Sequence, residues 1–409
     1  MDLFEKLDCS RSPLGPFTSS GYGYYTFPKL EGPIGPEMTF NGKKVIVWSV
    51  NDYLGVANNE EIRKIDAEVA AKYGFSTPMG ARLMTGNSEQ HETLEKELAE
   101  FVHKPAAFLF NYGYQGISSM IHSLVKRDDY LIYDELSHAC IVDGKQLAVC
   151  NKYVYKHNDI KSLEKQLQRV SKAAKPEAGI LVVTEGVFGM TGDLGKLREI
   201  IALKEKYNFR LLVDDAHGFG TLGNDGSGTG TELGCHEGID LYFGTFAKAV
   251  AVIGAFVATQ PEVVEYLKAN VRSQIFAKSL PMPIVVSARE RLKMIRRHPE
   301  WREKLWSNAL RLREGLKKLD YNVLPSESPI TPVLTKGSTE LAQKIMLELR
   351  EEHGVFVSGV AYPVVPKGLV LLRLIPTARH TNEQIDKTIE AFDAIRDVVF
   401  NESEKVVLD

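Results

Sequence analysis

Gly244-Thr245-Phe246-Ala247-Lys248-Ala249 follows a short apolar strand, Leu241-Tyr242-Phe243, and opens a run of small residues that ends in Phe256-Val257-Ala258. A lysine in that setting has little charged company and apolar neighbours. Desolvation lowers the pKa of an amine and makes its neutral, nucleophilic form available. A lysine that forms a Schiff base needs that form; the alternative is a strand-end lysine pointing into water. A second stretch upstream, Leu211-Leu212-Val213-Asp214-Asp215-Ala216-His217-Gly218, shifts the balance. An apolar strand ending in a carboxylate, with a lysine one strand later, is the arrangement that holds pyridoxal 5'-phosphate (PLP). The lysine takes the aldehyde and the aspartate holds the pyridinium nitrogen.

Working outward, short apolar segments recur at residues 106–110, 130–133, 152–155, 179–184, 210–214, 241–244 and 254–258. Helical periodicity over 60–73, 89–102, 116–125, 160–170 and 194–207 separates several of them. The pattern predicts an α/β fold with a mostly parallel central sheet covered by helices on both faces. Ligands in such sheets lie beyond the carboxyl ends of the strands. Chemistry is therefore expected in loops 111–116, 134–138, 185–192, 214–220 and 245–248. Residues 1–60 read as an N-terminal arm, rich in Gly, Pro and Tyr over 12–35, with a hairpin over 38–48 turned at Asn41-Gly42. Residues 61–295 read as the large domain. Residues 296–409 read as a smaller C-terminal α+β domain, with strands at 332–334, 355–358 and 369–374 and a last helix at 383–399.

The 409 residues are 44% hydrophobic and 25% charged, values that place the chain among ordinary globular proteins. A net charge of −3 without a long basic run argues against nucleic acid as a partner. The four cysteines, Cys9, Cys140, Cys150 and Cys235, fit neither a metal-ligand spacing nor a dense disulfide framework. We read them as reduced thiols in a cytoplasmic enzyme without a metal. Residues 1–11 mix acids and bases and carry no apolar signal segment. No apolar run reaches the roughly 18 residues of a membrane span, so a lipid substrate is met from the aqueous side.

Candidate site residues fall in the expected loops. In Asn111-Tyr112-Gly113-Tyr114 a glycine at a helix start lets the backbone approach a phosphate; a plain turn is the other reading. His138 is either a ring that stacks on a flat heterocycle and shuttles a proton, or a structural histidine. Asp214 must stay ionised to keep a ring nitrogen protonated, and His217 reaches toward the same ring's phenolic oxygen. Asp215 is sent the other way by strand alternation. Thr245 offers a hydroxyl beside Lys248. Arg373, in Leu371-Leu372-Arg373-Leu374, calls for an anion, either a substrate carboxylate or an internal acid. Gly218-Phe219-Gly220-Thr221-Leu222-Gly223 spells a dinucleotide fingerprint, but loop residues follow it where a helix should open.

Taken together, residues 51–55, Ser137-His138-Ala139, residues 184–188, 213–218 and 244–249 resemble the α-oxoamine synthases, PLP-dependent transferases of fold type I. The resemblance runs from about residue 20 to 398. It is nearest to the bacterial lipid-forming members, through residues 141–144, 155–159 and 327–330. It implies a decarboxylative Claisen-type condensation of an α-amino acid with an acyl thioester, giving an α-amino ketone. It implies that Lys248 binds PLP and takes the Cα proton, that His138 stacks on the ring, and that Asp214 and His217 address its nitrogen and phenolic oxygen. Gly113, Tyr114 and Thr245 are implied phosphate contacts, and Asn51 and Arg373 match substrate positions. Family members are homodimers with shared active sites, and residues 275–279 match the segment supplied by the partner.

Three departures bear on the substrate. Gly189 and Thr191 stand where the family commonly has serine and an acid, and Ala247 where it has serine or glycine. In the partner segment, Phe276-Ala277-Lys278-Ser279 replaces a hydroxyl-rich run and brings in a cation. A more positive site suits an amino acid with a second anionic group. Cysteate, joined to a fatty acyl thioester on CoA or acyl carrier protein as the first step of sulfonolipid synthesis, fits, with Lys278 reading the sulfonate. Serine, as in serine palmitoyltransferase and sphingolipid synthesis, is the near alternative. 8-Amino-7-oxononanoate synthase, 2-amino-3-ketobutyrate ligase and a PLP aminotransferase are further ones. A non-catalytic partner subunit would lack Lys248. A peripheral membrane contact for product release is consistent with a lipid product.

Overall fold

A computed structural model of the chain describes residues 2–8, 15, 21–362 and 365–404. Cys9 and most of the first part of the expected arm lie outside the described residues. The chain falls into two compact units. One consists of Met1–Tyr53, Met190–Gly192 and Glu303–Asp409, the other of Leu54–Gly189 and Asp193–Arg302.

The smaller unit begins with β1 (Leu30–Glu31), β2 (Glu37–Phe40) and β3 (Lys43–Val47). Asn41 (φ 49°) and Gly42 (φ 78°) form the β2–β3 turn. Both dihedrals are left-handed, as a two-residue hairpin loop requires.

The larger unit holds β4 (Ala106–Phe110), β5 (Tyr130–Asp134), β6 (Asn151–Tyr155), β7 (Ile180–Glu185), β8 (Arg210–Asp214), β9 (Leu241–Thr245) and β10 (Ala255–Thr259). They form one seven-stranded sheet in the order β4-β10-β9-β8-β7-β5-β6. Neighbours from β9 to β6 are parallel, while β10 runs antiparallel to both β9 and β4. Every residue of β7, β9 and β10 is buried. Both faces are therefore covered, which is why these segments read as continuous apolar runs. Phe108, Phe110, Ile117, Leu131, Val183, Leu212 and Phe243 belong to the core on one face. Burial of each such side chain contributes about 1.5–3 kcal/mol.

One expected helix is shorter than its periodicity. It spans Leu197–Ala202 with a 3₁₀ turn at Leu203–Glu205. Leu194 forms a β-bridge with Val187, and Gly195 N–H donates to the Gly186 carbonyl, so the chain is held extended before the helix starts.

The C-terminal part of the smaller unit adds β11 (Thr331–Lys336), β12 (Val355–Phe356), β13 (Ser358–Val360) and β14 (Leu369–Leu374). β11, β14 and β13 form an antiparallel sheet. β12 pairs in parallel with β3, so the N-terminal hairpin belongs to a four-stranded sheet. The single strand expected over 355–358 breaks at Val357, whose carbonyl accepts Nη2 of buried Arg350 at 3.0 Å. The last helix also divides, into Asn382–Ala394 and Arg396–Glu404. Among the described residues no helix is long and apolar enough to cross a membrane. Nor do those residues group three or more side chains that could hold a metal.

Candidate active site

β7 and β8 are parallel neighbours in a register that sets Glu185 opposite Asp214, both at carboxyl ends. Both carboxylates are buried, at 5% and 6% exposure. Oδ1 of Asp214 accepts the Ala216 N–H at 3.2 Å, and its Oδ2 has the Cys140 thiol as partner at 3.7 Å. Oε1 of Glu185 accepts the His138 N–H at 2.6 Å. Burial raises the pKa of Asp214, and the positive charge of Lys248 opposes the rise. Burial, then the charge of Asp214, pushes Glu185 up as well. Lys248 thus has charged neighbours, which corrects the expectation of apolar company drawn from its flanking residues.

Lys248 is half-buried and lies in the turn between β9 and β10. The turn is tied by Phe246 N–H to Gly254 O (2.9 Å), Val252 N–H to Phe246 O (3.1 Å) and Ala251 N–H to Lys248 O (3.0 Å). Gly254 has φ 131°, and a side chain there would strike the Phe246 ring. Thr245 is buried at the start of this turn; its hydroxyl donates to Gly254 O at 3.1 Å.

The adjacent pair Asp214-Asp215 divides as alternation predicts. Asp215 accepts the Thr229 N–H at 2.8 Å and the Thr229 hydroxyl at 2.5 Å. Side chains at Gly186, Gly218 or Gly228 would collide with its carboxylate. Burial raises its pKa to about 6, against the hydrogen bonds from Thr229. Asp215 is therefore a structural anchor of the loop that carries His217. His217 is buried, and a side chain at Gly189 would collide with its Nε2. The glycine that departs from the family pattern gives this imidazole its room.

His138 caps the helix Ala139–Leu147 with its own ring, Nδ1 accepting the Cys140 N–H at 3.2 Å. The Tyr114 ring stands edge-on to it at 6.1 Å, and the Tyr114 hydroxyl donates to Asp143 Oδ2 at 2.5 Å. That hydrogen bond lifts the phenol to about 12. Gly113 opens the helix Gly113–Leu124, whose N-cap Tyr112 supplies no side-chain acceptor. A Cβ on Gly113 would lie 3.2 Å from Thr245 Oγ1, so the helix start and the β9 turn meet closely. Nδ2 of Asn111 donates to the Lys278 carbonyl at 2.5 Å, while the Lys278 side chain is exposed.

In the smaller unit Arg373 projects from β14, and its Nη2 donates to Asn51 Oδ1 at 3.1 Å. Buried Tyr53 is its other neighbour: burial raises that phenol to about 12, with the Arg373 charge opposing. Nε of Arg373 is buried without a partner. The partner of its Nη2 is thus a neutral amide oxygen.

The dinucleotide fingerprint at 218–223 forms turns, with left-handed Gly220 and Gly223, and the next helix is the four-residue Thr229–Glu232. Sequence reasoning gave no role to Glu185, Cys140 or Tyr53. For Glu185 a signal existed: a lone acid ends an apolar strand, as Asp214 does.

The larger unit thus gathers Lys248, Asp214 and His138, with His217 buried in the adjoining loop. The donor set suits PLP: an uncapped helix start for a phosphate, a buried carboxylate whose Oδ2 has a weak thiol donor for a protonated ring nitrogen, and an amine for an aldehyde.

Comparison with known proteins agrees. A family model described as aminotransferase class I and II matches residues 43–392. A cysteate-C-fatty acyltransferase of Capnocytophaga ochracea is 54% identical over 397 residues, covering 97% of this chain and 94% of the relative. An 8-amino-7-oxononanoate synthase of Alkaliphilus oremlandii is 38% identical, with 91% and 93% covered. Among solved structures, a serine palmitoyltransferase of S. paucimobilis with PLP and myriocin bound has a TM-score of 0.89 at 31% identity, covering 97% of this chain and 99% of that one.

Proposed function

We propose a decarboxylative condensation of cysteate with a fatty acyl thioester, on the premise that the chain belongs to the aminotransferase class I and II family, in its α-oxoamine synthase branch. It is a PLP-dependent acyltransferase. The observation that carries the chemistry is the buried Asp214–Glu185 pair at the ends of adjacent parallel strands, with Lys248 as its electrostatic neighbour. The choice of amino acid is supported by 54% identity to the cysteate enzyme against 38% to the oxononanoate synthase.

Bound PLP supplies an aldehyde for the amine and a protonated ring that draws electrons from Cα. Lys248 holds the cofactor between turnovers and removes the Cα proton. Asp214, whose pKa burial raises against the opposing charge of Lys248, holds the proton at the ring nitrogen. His138 stacks on the ring, and His217 donates toward the phenolic oxygen. The N–H groups of Gly113 and Tyr114, with the Thr245 hydroxyl, take the phosphate. Arg373 and Asn51 grip the substrate carboxylate. In the net reaction the Cα–carboxylate bond breaks, a bond from Cα to the acyl carbon forms, and CO2 and the thiol leave. The protein acts in the cytoplasm as a homodimer, with Lys278 meeting the sulfonate.

A spectral titration of the PLP-loaded protein with cysteate, serine, alanine and glycine tests the reading. A tight, saturable response to cysteate and a weak one to serine is expected. The reverse order would make serine the substrate. Lys278→Ala should raise KM for cysteate about tenfold or more, with little change for serine, since a hydrogen bond to a charged group is worth about 1.5–3 kcal/mol. An equal change for both amino acids would remove Lys278 from sulfonate recognition.

A further inference from the structure

We infer that Cys140 is a positioning residue that fixes the His138 imidazole as a neutral ring with its proton on Nε2. The backbone N–H of Cys140 donates to Nδ1 of His138, while its thiol proton has Asp214 Oδ2 as partner. That N–H reaches Nδ1 at 3.2 Å and the sulfur lies 3.0 Å from Nδ1. An N–H can only donate, so a proton on Nδ1 would set two donors against each other and open the cap of the helix Ala139–Leu147. The ring's single proton therefore belongs on Nε2, the tautomer rule for an imidazole whose other nitrogen already accepts.

The thiol is suited to this position. It is 2% exposed, and burial, then the charges of Asp214 and Glu185, push its pKa far up, so the sulfur keeps its proton. The same sulfur lies 3.7 Å from Oδ2 of Asp214. One side chain thus spaces the stacking ring from the carboxylate that serves the ring nitrogen. A thiol is a weak donor, so it leaves most of the Asp214 charge available. Other groups near His138 include Glu185, which accepts its N–H, Tyr114 at its edge, and Asp214 and Lys248 around Cys140. The Asp214 carboxylate and His138 interact electrostatically; the Cys140 N–H aimed at Nδ1 decides the tautomer by geometry. A neutral ring adds no positive charge beside a protonated cofactor.

The inference rests on the PLP reading only for its second test. In the cofactor-free full chain, side-chain ¹⁵N spectra of histidine, with His138 assigned through His138→Asn, should show a bare Nδ1 and a protonated Nε2. That pattern should hold from ~pH 5 to ~pH 8, where an ordinary histidine titrates. A His138 resonance with a midpoint near ~6.5 overturns the inference. In Cys140→Ala the PLP dissociation constant, read by absorbance, should rise about fivefold, the worth of one ordinary hydrogen bond. The His138 resonances should shift in the same variant, and Cys140→Ser, which keeps a donor, should lie between. Unchanged spectra and unchanged PLP affinity in both variants would equally overturn it. A chain that shows the neutral tautomer yet binds no PLP would refute the functional reading and leave the tautomer standing.

Discussion

In the larger unit Asp214, Glu185 and Lys248 are set against one another at the strand ends, and the pKa values of both acids are raised by burial. In the smaller unit Arg373 meets Asn51 and Tyr53, with its Nε unpartnered among the described residues. The first region balances most of its charge internally, so it needs a ligand that completes the balance: a cationic ring and a phosphate. The second leaves a cation facing neutral partners, so it needs an anion. Two kinds of incompleteness thus point to two ligands, a resident cofactor and a passing carboxylate.

The comparison breaks most visibly at Lys248. Lys248→Ala should lower turnover roughly 10⁴-fold, the upper range for a lost acid–base group, while PLP still binds non-covalently. Turnover within tenfold of wild type would remove the lysine from the chemistry. Arg373→Ala should raise KM for the amino acid about 10²-fold through a lost charge-assisted contact, with PLP affinity unmoved. A fall in PLP affinity instead would merge the two regions into one function. Arg373→Lys should restore little, because a point charge does not reproduce the guanidinium fork.

The smallest effect concerns a balanced charge deeper in the larger unit. His157 bonds Asp134 Oδ1 at 3.0 Å and Asp193 Oδ2 at 2.9 Å. Burial pulls its pKa down, but the hydrogen bonds to Asp134 and Asp193 outweigh burial and hold it at about 9. A histidine raised above its unfolded value of 6.5 contributes stability that is complete below pH 6.5 and is lost as pH rises through about 9. Urea denaturation should therefore show the gap between wild type and His157→Gln closing over that window. A gap that stays constant would mean that His157 is neutral in the fold.

The sheet was legible in the sequence because each of its strands is an apolar run between turn signals, and burial on both faces demands that pattern. Asp214, His217 and Lys248 were legible because they end or follow such strands. Arg373 announced its need for an anion through its apolar flanks, but its partners Asn51 and Tyr53 lie more than 300 residues away in sequence, beyond any local pattern. Cys140 escaped notice because a buried thiol looks like any small core residue. The charged neighbours of Lys248 were missed because Asp214 and Glu185 come from other strands, and only the parallel register brings them together. The helix expected at 194–207 shortened because a bridge at Leu194 competes with helical propensity.

The turn that carries Lys248 is held at both ends, by Phe246 to Gly254 and by Ala251 to Lys248 itself. On the proposed function, a lysine that would hold the cofactor between turnovers would travel away from it and back in every cycle. With the backbone braced, the only moving part is a four-carbon tether swinging on a fixed post. Side-chain rotations are far faster than loop rearrangements. The swing of the amine should therefore not limit turnover.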